Sequence, residues 1–215
     1  MTIRSPSGNN LQRAAELLRQ GGLVAYPTET YYGIAADPFN EGALRRLHRL
    51  KKRPREKPIS VLIGDMDTLS LLVEEIPAPF HVLMEKFWPG PLTLVFPARS
   101  TISCLVTAGT GTIGIRLSPH PVALDLIKAF DGKPVTATSA NISGCRPART
   151  AAQAASQFGK GVDMILDGGT TVGESASTLV GIRRGRFHLI REGALPFGEI
   201  IAVAGETTQI KRRVL

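Results

Sequence analysis

Cysteine is nearly missing from this chain of 215 residues: there are two, Cys104 and Cys145. Two thiols cannot make a disulfide framework, and neither sits in a Cys-x-x-Cys or Cys/His ligand spacing, which argues against structural zinc. Long apolar runs are missing as well. No stretch approaches the roughly 18 consecutive apolar residues of a membrane span. The opening MTIRSPSGNN lacks the apolar core of a secretory signal, so the expected address is the cytoplasm, with no membrane contact. Aromatic residues make up only 6% of the chain, too few for rows of stacking platforms on single-stranded nucleic acid. The histidines His48, His81, His120 and His188 show no ligand spacing, and neither cysteine has a base beside it in sequence to activate it as a nucleophile. There is no Gly-x-x-x-x-Gly-Lys-[Ser/Thr] loop and no Gly-x-Gly-x-x-Gly after a strand, which sets aside the two commonest nucleotide-binding loops.

Negative charge is the scarcer sign. Asp and Glu total 18 against 26 Lys and Arg, leaving a formal net charge of +8. Most of it sits in one place. Arg45, Arg46, Arg49, Lys51, Lys52, Arg53, Arg55 and Lys57 face the single acid Glu56, so this segment carries +7 of the +8. A solvated helix face is the bland explanation of such a run. Pro54 and Pro58 change it, because each restricts the residue before it to extended backbone, ends the helix and stiffens the loop. Stiffly held cations lose less entropy when an anion binds, and the segment reads as a phosphate clamp.

With 43% hydrophobic and 20% charged residues, the composition is that of a folded domain. Leu11, Ala14, Ala15, Leu17 and Leu18 recur at helical spacing, with Asn10 as cap and Gly21-Gly22 as stop. Further helices are predicted over residues 41–50, 80–87, 120–130, 150–158 and 199–203. Strands are predicted over 23–26, 59–63, 92–96, 112–117, 135–138, 164–166, 178–182 and 187–191. This alternation predicts an α/β (α+β) fold, one domain over 1–205 on a twisted sheet flanked by helices, followed by a basic tail over 206–215.

Strand ends in such folds deliver polar groups to a site. Pro27-Thr28-Glu29-Thr30-Tyr31-Tyr32-Gly33 follows one strand with hydroxyls and a carboxylate suited to a small polar substrate. Thr136-Ala137-Thr138-Ser139-Ala140-Asn141-Ile142-Ser143-Gly144 offers small side chains, amides and hydroxyls that a phosphate could approach closely. Arg116 ends an apolar strand, where a guanidinium needs an anionic partner, and Arg191 ends another. Asp167-Gly168-Gly169 reads as a turn.

Taken in order, Pro27-Thr28-Glu29-Thr30-x-Tyr32-Gly33, Lys51-x-Arg53-Pro54 with Lys57-Pro58, Trp88-Pro89-Gly90-Pro91-Leu92-Thr93, Gly114-x-Arg116, Ser139-Ala140-Asn141-x-Ser143-Gly144, Ser177-Thr178 and Arg191-x-Gly193 resemble the YrdC-like threonylcarbamoyl-AMP synthases, in their single-domain form. The resemblance runs from about Gly21 to Gly193. It implies a nucleotidyltransferase that converts L-threonine, bicarbonate and ATP, with Mg²⁺, to threonylcarbamoyl-AMP and diphosphate. This is the first step of N6-threonylcarbamoyladenosine formation at position 37 of tRNA. By position, the resemblance makes Lys51 and Arg53 catalytic, acting on the ATP phosphates. It adds Lys57, Thr112, Ser139, Asn141, Ser143, Arg146 and Arg191 as ATP-binding, and gives threonine to Thr28, Tyr32, Arg116 and Ser177. It implies no protein metal ligands, the Mg²⁺ being held through ATP phosphates, and it implies contact with tRNA or double-stranded RNA and with downstream threonylcarbamoyl transferase proteins. Two positions depart from the pattern. Gly181 follows Leu179-Val180 where many members have aspartate, and Leu62 stands where some have histidine. The competing expectations are a duplex-RNA or tRNA-binding protein of the same fold without this activity, and a related nucleotide-dependent carbamoyl-transfer enzyme.

Overall fold

The computed structural model describes residues 1–213, with side-chain surroundings given through residue 205. An edge strand, β1 (Thr2–Arg4), leads into helix α1 (Gly8–Arg19), whose Leu11, Ala14, Ala15 and Leu18 form one buried stripe. The helix begins three residues before the predicted start. Ser7 is the capping position, and Asn10, expected as the cap, lies inside the first turn with its amide donating to the Ser5 carbonyl at 2.9 Å. Then come the antiparallel pair β2 (Val24–Tyr26) and β3 (Gly33–Ala35), helix α2 (Glu41–Lys51) and strand β4 (Val61–Ile63). Asn40 caps α2 by accepting from the Ala43 amide at 3.0 Å. The short helix α3 (Leu69–Leu72) and the longer α4 (Ala78–Phe87) precede β5 (Leu92–Pro97), and α5 (Cys104–Thr107) precedes β6 (Thr112–Leu117). Helix α6 (Pro121–Ala129) is followed by two very short strands, β7 (Val135–Thr136) and β8 (Thr138–Ser139). Helix α7 (Ala151–Phe158), β9 (Met164–Leu166), the hairpin β10 (Thr178–Arg183) and β11 (Arg186–Arg191), and helix α8 (Phe197–Arg213) complete the chain. Helix α8 is far longer than the predicted 199–203. It takes in most of the predicted tail, whose last two residues lie outside those described.

The strands form two mixed sheets where one was expected. The first has the order β1-β9-β2-β3-β8 and the second β11-β10-β5-β6-β4-β7. In the first, β1, β9 and β2 are parallel, while β3 and β8 run antiparallel to their neighbours. In the second, β10 with β5 and β6 with β4 are parallel and the other pairs antiparallel. Helices α1 and α6 cover one face of the first sheet through Leu18, Leu126 and Phe130, and α2 and α7 cover the other through Leu47 and Phe158. Helix α4 packs on the second sheet. There Phe80 meets Phe96 edge to face, with centroids 4.9 Å apart, and Trp88 donates its indole N–H to the Leu92 carbonyl at 2.7 Å. Among the described residues no helix is long and apolar enough to cross a membrane.

The two sheets are joined where the predicted strand 135–138 divides. Thr136 pairs with Val61 of the second sheet, Thr138 pairs with Ile34 of the first, and the Ala137 amide between them donates to the Ser60 carbonyl at 2.7 Å. Thr136 is fully buried and still satisfied. Its hydroxyl accepts from the Ala36 amide at 2.9 Å and donates to the Ile34 carbonyl at 2.8 Å. Its carbonyl accepts from the Tyr26 hydroxyl at 3.0 Å. Thr136→Val keeps the volume but strands an amide and a carbonyl, so unfolding stability should fall by about 1–3 kcal/mol. Urea unfolding is expected to show a lower midpoint with an unchanged slope.

Candidate active site

Strand ends from both sheets converge on one cleft that opens to solvent. The first sheet supplies Tyr26 and Thr28 at the exit of β2, Gly33 of β3, and Thr138 and Ser139 of β8. From the second sheet come Ser60 before β4, Arg116 near the end of β6, Ser177 before β10 and Arg191 at the end of β11. The basic loop after α2 adds Arg53. Close packing makes this convergence tight: a Cβ on Gly193 would lie 2.1 Å from the Ala176 carbonyl oxygen, so only glycine lets the chain after β11 lie against the residues before β10. Arg191 is thereby held by Ser177, donating to its carbonyl at 2.8 Å and its hydroxyl at 3.3 Å. Ser177 in turn shares a hydrogen bond with Thr93 at 2.8 Å.

Charge in the cleft is unbalanced. Arg116 is almost fully buried, and its Nη1 donates to the Glu29 carboxylate and, at 3.1 Å, to the Thr30 hydroxyl. The other Glu29 oxygen accepts from the Ser118 hydroxyl. Arg53 and Arg191 have no carboxylate partner among the described residues. Arg53 donates to the Lys57 carbonyl at 3.2 Å and the Pro58 carbonyl at 2.6 Å, so the proline-stiffened loop itself holds the guanidinium. Burial first, and then mutual repulsion between Arg53 and Arg191 and between Arg191 and Arg116, pulls the pKa values of Arg53 and Arg191 below the usual arginine range. Three guanidinium groups around one engaged carboxylate make a cavity that favours anions.

Residues 16–193 match the model of the Sua5/YciO/YrdC family, described as telomere recombination. Similar proteins include the threonylcarbamoyl-AMP synthase of Pyrococcus abyssi, 39% identical over 193 residues, which are 90% of this chain and 56% of that protein. The threonylcarbamoyl-AMP synthase of Bacillus subtilis is 38% identical over 203 residues, 94% of this chain and 58% of that protein. The crystal structure of P. abyssi Sua5 complexed with L-threonine matches with a TM-score of 0.89 at 37% identity, covering 95% of this chain and 60% of that one. The chain belongs to the Sua5/YciO/YrdC family. It spans less than two thirds of the length of these relatives.

Of the residues expected from the resemblance, the Sua5/YciO/YrdC fold brings Thr28, Tyr32, Arg53, Arg116, Ser139, Ser177 and Arg191 to the cleft wall. The others are placed around it. Lys51 lies beneath, 1% exposed, with its ammonium donating to the carbonyls of Ser139 and, at 2.7 Å, Asn141. Asn141 serves its own loop: it accepts from the Ser139 hydroxyl at 2.5 Å and donates to the Ile142 and Cys145 carbonyls. The Ser143 amide donates to the Lys51 carbonyl at 2.8 Å, and its buried hydroxyl has no partner among the described residues. Lys57 and Arg146 are exposed outside the lining. Thr112 stands at the far end of β6, sharing a hydrogen bond with Thr110 at 2.9 Å. Tyr32 is among the cleft residues, but it is fully buried, and its hydroxyl donates to the Gly169 carbonyl at 2.8 Å and is pushed up to about 12 by burial and by Asp167. Thr28 bonds within its own turn, to the Tyr31 carbonyl at 2.7 Å.

Sequence reasoning read Glu29 and Thr30 only as part of the polar segment suited to a small substrate, and gave Ser60 and Ser118 no role. The signal for the first two was the carboxylate and hydroxyls of the polar segment after β2. Ser60 and Ser118 carry no signal of their own, since only the sheet packing brings them to the site.

Burial, with Arg53 beside it, pulls the Lys51 ammonium from 10.5 down to about 7. Between about 7 and 10.5 the unfolded chain therefore holds a proton that the folded chain has released, so the Lys51 contribution to stability rises with pH across that window. Urea midpoints of the wild type relative to Lys51→Met are expected to increase as the pH is raised from neutral to alkaline. A flat difference would contradict the burial of this amine.

Proposed function

We propose that the chain is a threonylcarbamoyl-AMP synthase, taking L-threonine, bicarbonate and ATP to threonylcarbamoyl-AMP and diphosphate. The observation that carries this reading is the cleft of three arginines around one engaged carboxylate, in a chain whose relatives are named for that activity. The threonine amine and bicarbonate condense to a carbamate with loss of water. A carbamate oxygen then attacks the α-phosphorus of ATP, and the bond to the leaving diphosphate breaks. The carbamate and ATP are both anionic, and held guanidinium groups lower the repulsion between them while stabilising charge on the departing diphosphate. No side-chain nucleophile is required, because much of the rate comes from positioning.

Each residue's task follows from its place. Arg53, with Arg191, faces the phosphates. Lys51 supports the Ser139 and Asn141 carbonyls, which shapes the loop on which the nucleotide rests. Arg116 spends Nη1 on Glu29 and Thr30 and keeps the rest of its fork for the threonine carboxylate. ATP enters as its Mg²⁺ complex, a substrate. Glu29, the carboxylate beside the cleft, is engaged by Arg116 and Ser118, so the protein adds no carboxylate to the metal. In this reading the product passes, in the cytoplasm, to transferase proteins that modify tRNA.

Diphosphate release by the purified protein is expected to require threonine and bicarbonate together, and to fall about a hundredfold or more in Arg53→Ala. Release without threonine, or none at all, would overturn the assignment. Glu29→Gln keeps an acceptor for Arg116 but removes the charge that holds it. The expected result is a KM for threonine raised about tenfold, with the KM for ATP nearly unchanged.

A further inference from the structure

Helix α2 buries a histidine that its apolar stripe does not require. Ala43, Leu44 and Leu47 pack into the interior, and His48, next in the stripe, is 6% exposed. Burying an imidazole costs free energy unless its nitrogens are bonded, and an apolar side chain would fill the space without that cost. Both nitrogens of His48 meet backbone carbonyls. Nε2 lies 2.9 Å from the Leu105 oxygen of α5, and Nδ1 lies 3.4 Å from the Arg53 oxygen of the basic loop. A neutral imidazole carries one N–H and can donate to one of these oxygens, leaving a lone pair set against the other. The imidazolium donates to both.

The carbonyl of His48 also accepts from the Arg53 amide at 3.0 Å, so one residue faces both polar groups of the Arg53 backbone. Helix α5 is the support behind it. Ser103 caps that helix, accepting from the Leu105 amide at 3.2 Å, and the Val106 carbonyl accepts from the Ile59 amide at 2.8 Å, at the far end of the same loop. Because the Arg53 guanidinium is bonded to the Lys57 and Pro58 carbonyls, the loop and the guanidinium are held as one unit. The charged groups on the elements around the ring are mostly cations: Arg49, Lys51 and Lys52 at the end of α2, and Arg53, Arg55 and Lys57 with Glu56 in the loop. Helix α5 adds the Cys104 thiol, and Glu41 at the start of α2 is paired with Arg45. Cations oppose a further positive charge, and an anion bound at Arg53 offsets them. We propose that His48 is a positioning residue for the ATP phosphates: it takes up a proton from solvent as ATP binds, and as imidazolium fastens the Arg53 backbone to α5. The proposal rests on the reading of Arg53 as the phosphate clamp. A histidine in the last turn of a helix also complements the helix dipole, but that role alone would be indifferent to ATP.

The test measures binding of Mg²⁺-ATP to the full chain from about pH 5.5 to 8, without threonine or bicarbonate so that no turnover occurs. The wild type is compared with His48→Gln, whose amide reaches the Leu105 carbonyl and leaves the Nδ1 position empty. It is also compared with His48→Asn, whose shorter amide reaches the Nδ1 position and donates to the Arg53 carbonyl at every pH. As the pH is raised, wild-type affinity is expected to fall about three- to tenfold more than that of His48→Gln. Titration of Lys51 and of ATP is common to both proteins and cancels in the comparison. His48→Asn should show the weak pH dependence of His48→Gln with an affinity about three- to tenfold higher. In the wild type, which needs no variant to fold, ¹⁵N NMR of the imidazoles near neutral pH should show the doubly protonated fraction of His48 rising when Mg²⁺-ATP is added. An unchanged His48 signal, or equal pH dependence in the wild type and His48→Gln, would overturn the proposal. Arg53→Ala separates the two readings. If it binds Mg²⁺-ATP as tightly as the wild type, the clamp reading fails and this proposal with it; if it loses binding while His48→Gln matches the wild type at every pH, this proposal alone fails.

Discussion

The hydrogen bonds of Thr136 are what the rest of the cleft depends on. This residue belongs to a strand of the second sheet by register, yet its side chain is bonded to the backbone of the first. The chain changes sheets at Ala137 with every buried polar group in the step still paired. Two sheets tied at a single strand must diverge beyond it, and the divergence is the cleft. Polar strand ends from both sheets then point at the same space without any long loop to carry them.

That arrangement brings together groups that repel. Arg53, Arg116 and Arg191 are drawn inward by strand ends and a stiff loop, and among the described residues Glu29 is the only carboxylate ion-paired with any of them. A folded chain can hold such a cluster because each guanidinium also has fixed oxygens to bond: backbone carbonyls for Arg53, Ser177 for Arg191, Thr30 for Arg116. Lys51 shows the opposite solution for a buried cation, a lowered pKa and two carbonyl acceptors, and it sits under the loop instead of inside the cavity. Adjacent basic residues in one motif thus do different physical work, Arg53 toward a ligand and Lys51 toward the backbone.

Much of this was legible beforehand, and the misses have physical causes. Amphipathic spacing located α2, α4, α6 and α7 to within a residue or two, since a long apolar stripe leaves little freedom. The strands β1 and β3 were missed because three residues carry too little alternation, and β3 is embedded in a polar stretch. The division of 135–138 into two strands is invisible in sequence, as the short run Val135-Thr136-Ala137-Thr138 reads the same whether it pairs with one sheet or two. The Asn10 cap failed because α1 begins at Gly8, which puts Asn10 inside the first turn, and Ser7 at the capping position makes no side-chain capping bond. At the site, residue types in ordered motifs pointed to the Arg53, Arg116 and Arg191 cluster. They could not say that Thr112 stands at the wrong end of its strand to line the cleft, or that Asn141 is consumed by its own loop.

Trp88 is the chain's single tryptophan. It is 8% exposed, its indole N–H is held by the Leu92 carbonyl, and its ring lies 6.3 Å from that of Phe96. The indole is therefore a fluorophore built into the core of the second sheet, and its emission reports on the packing of that sheet.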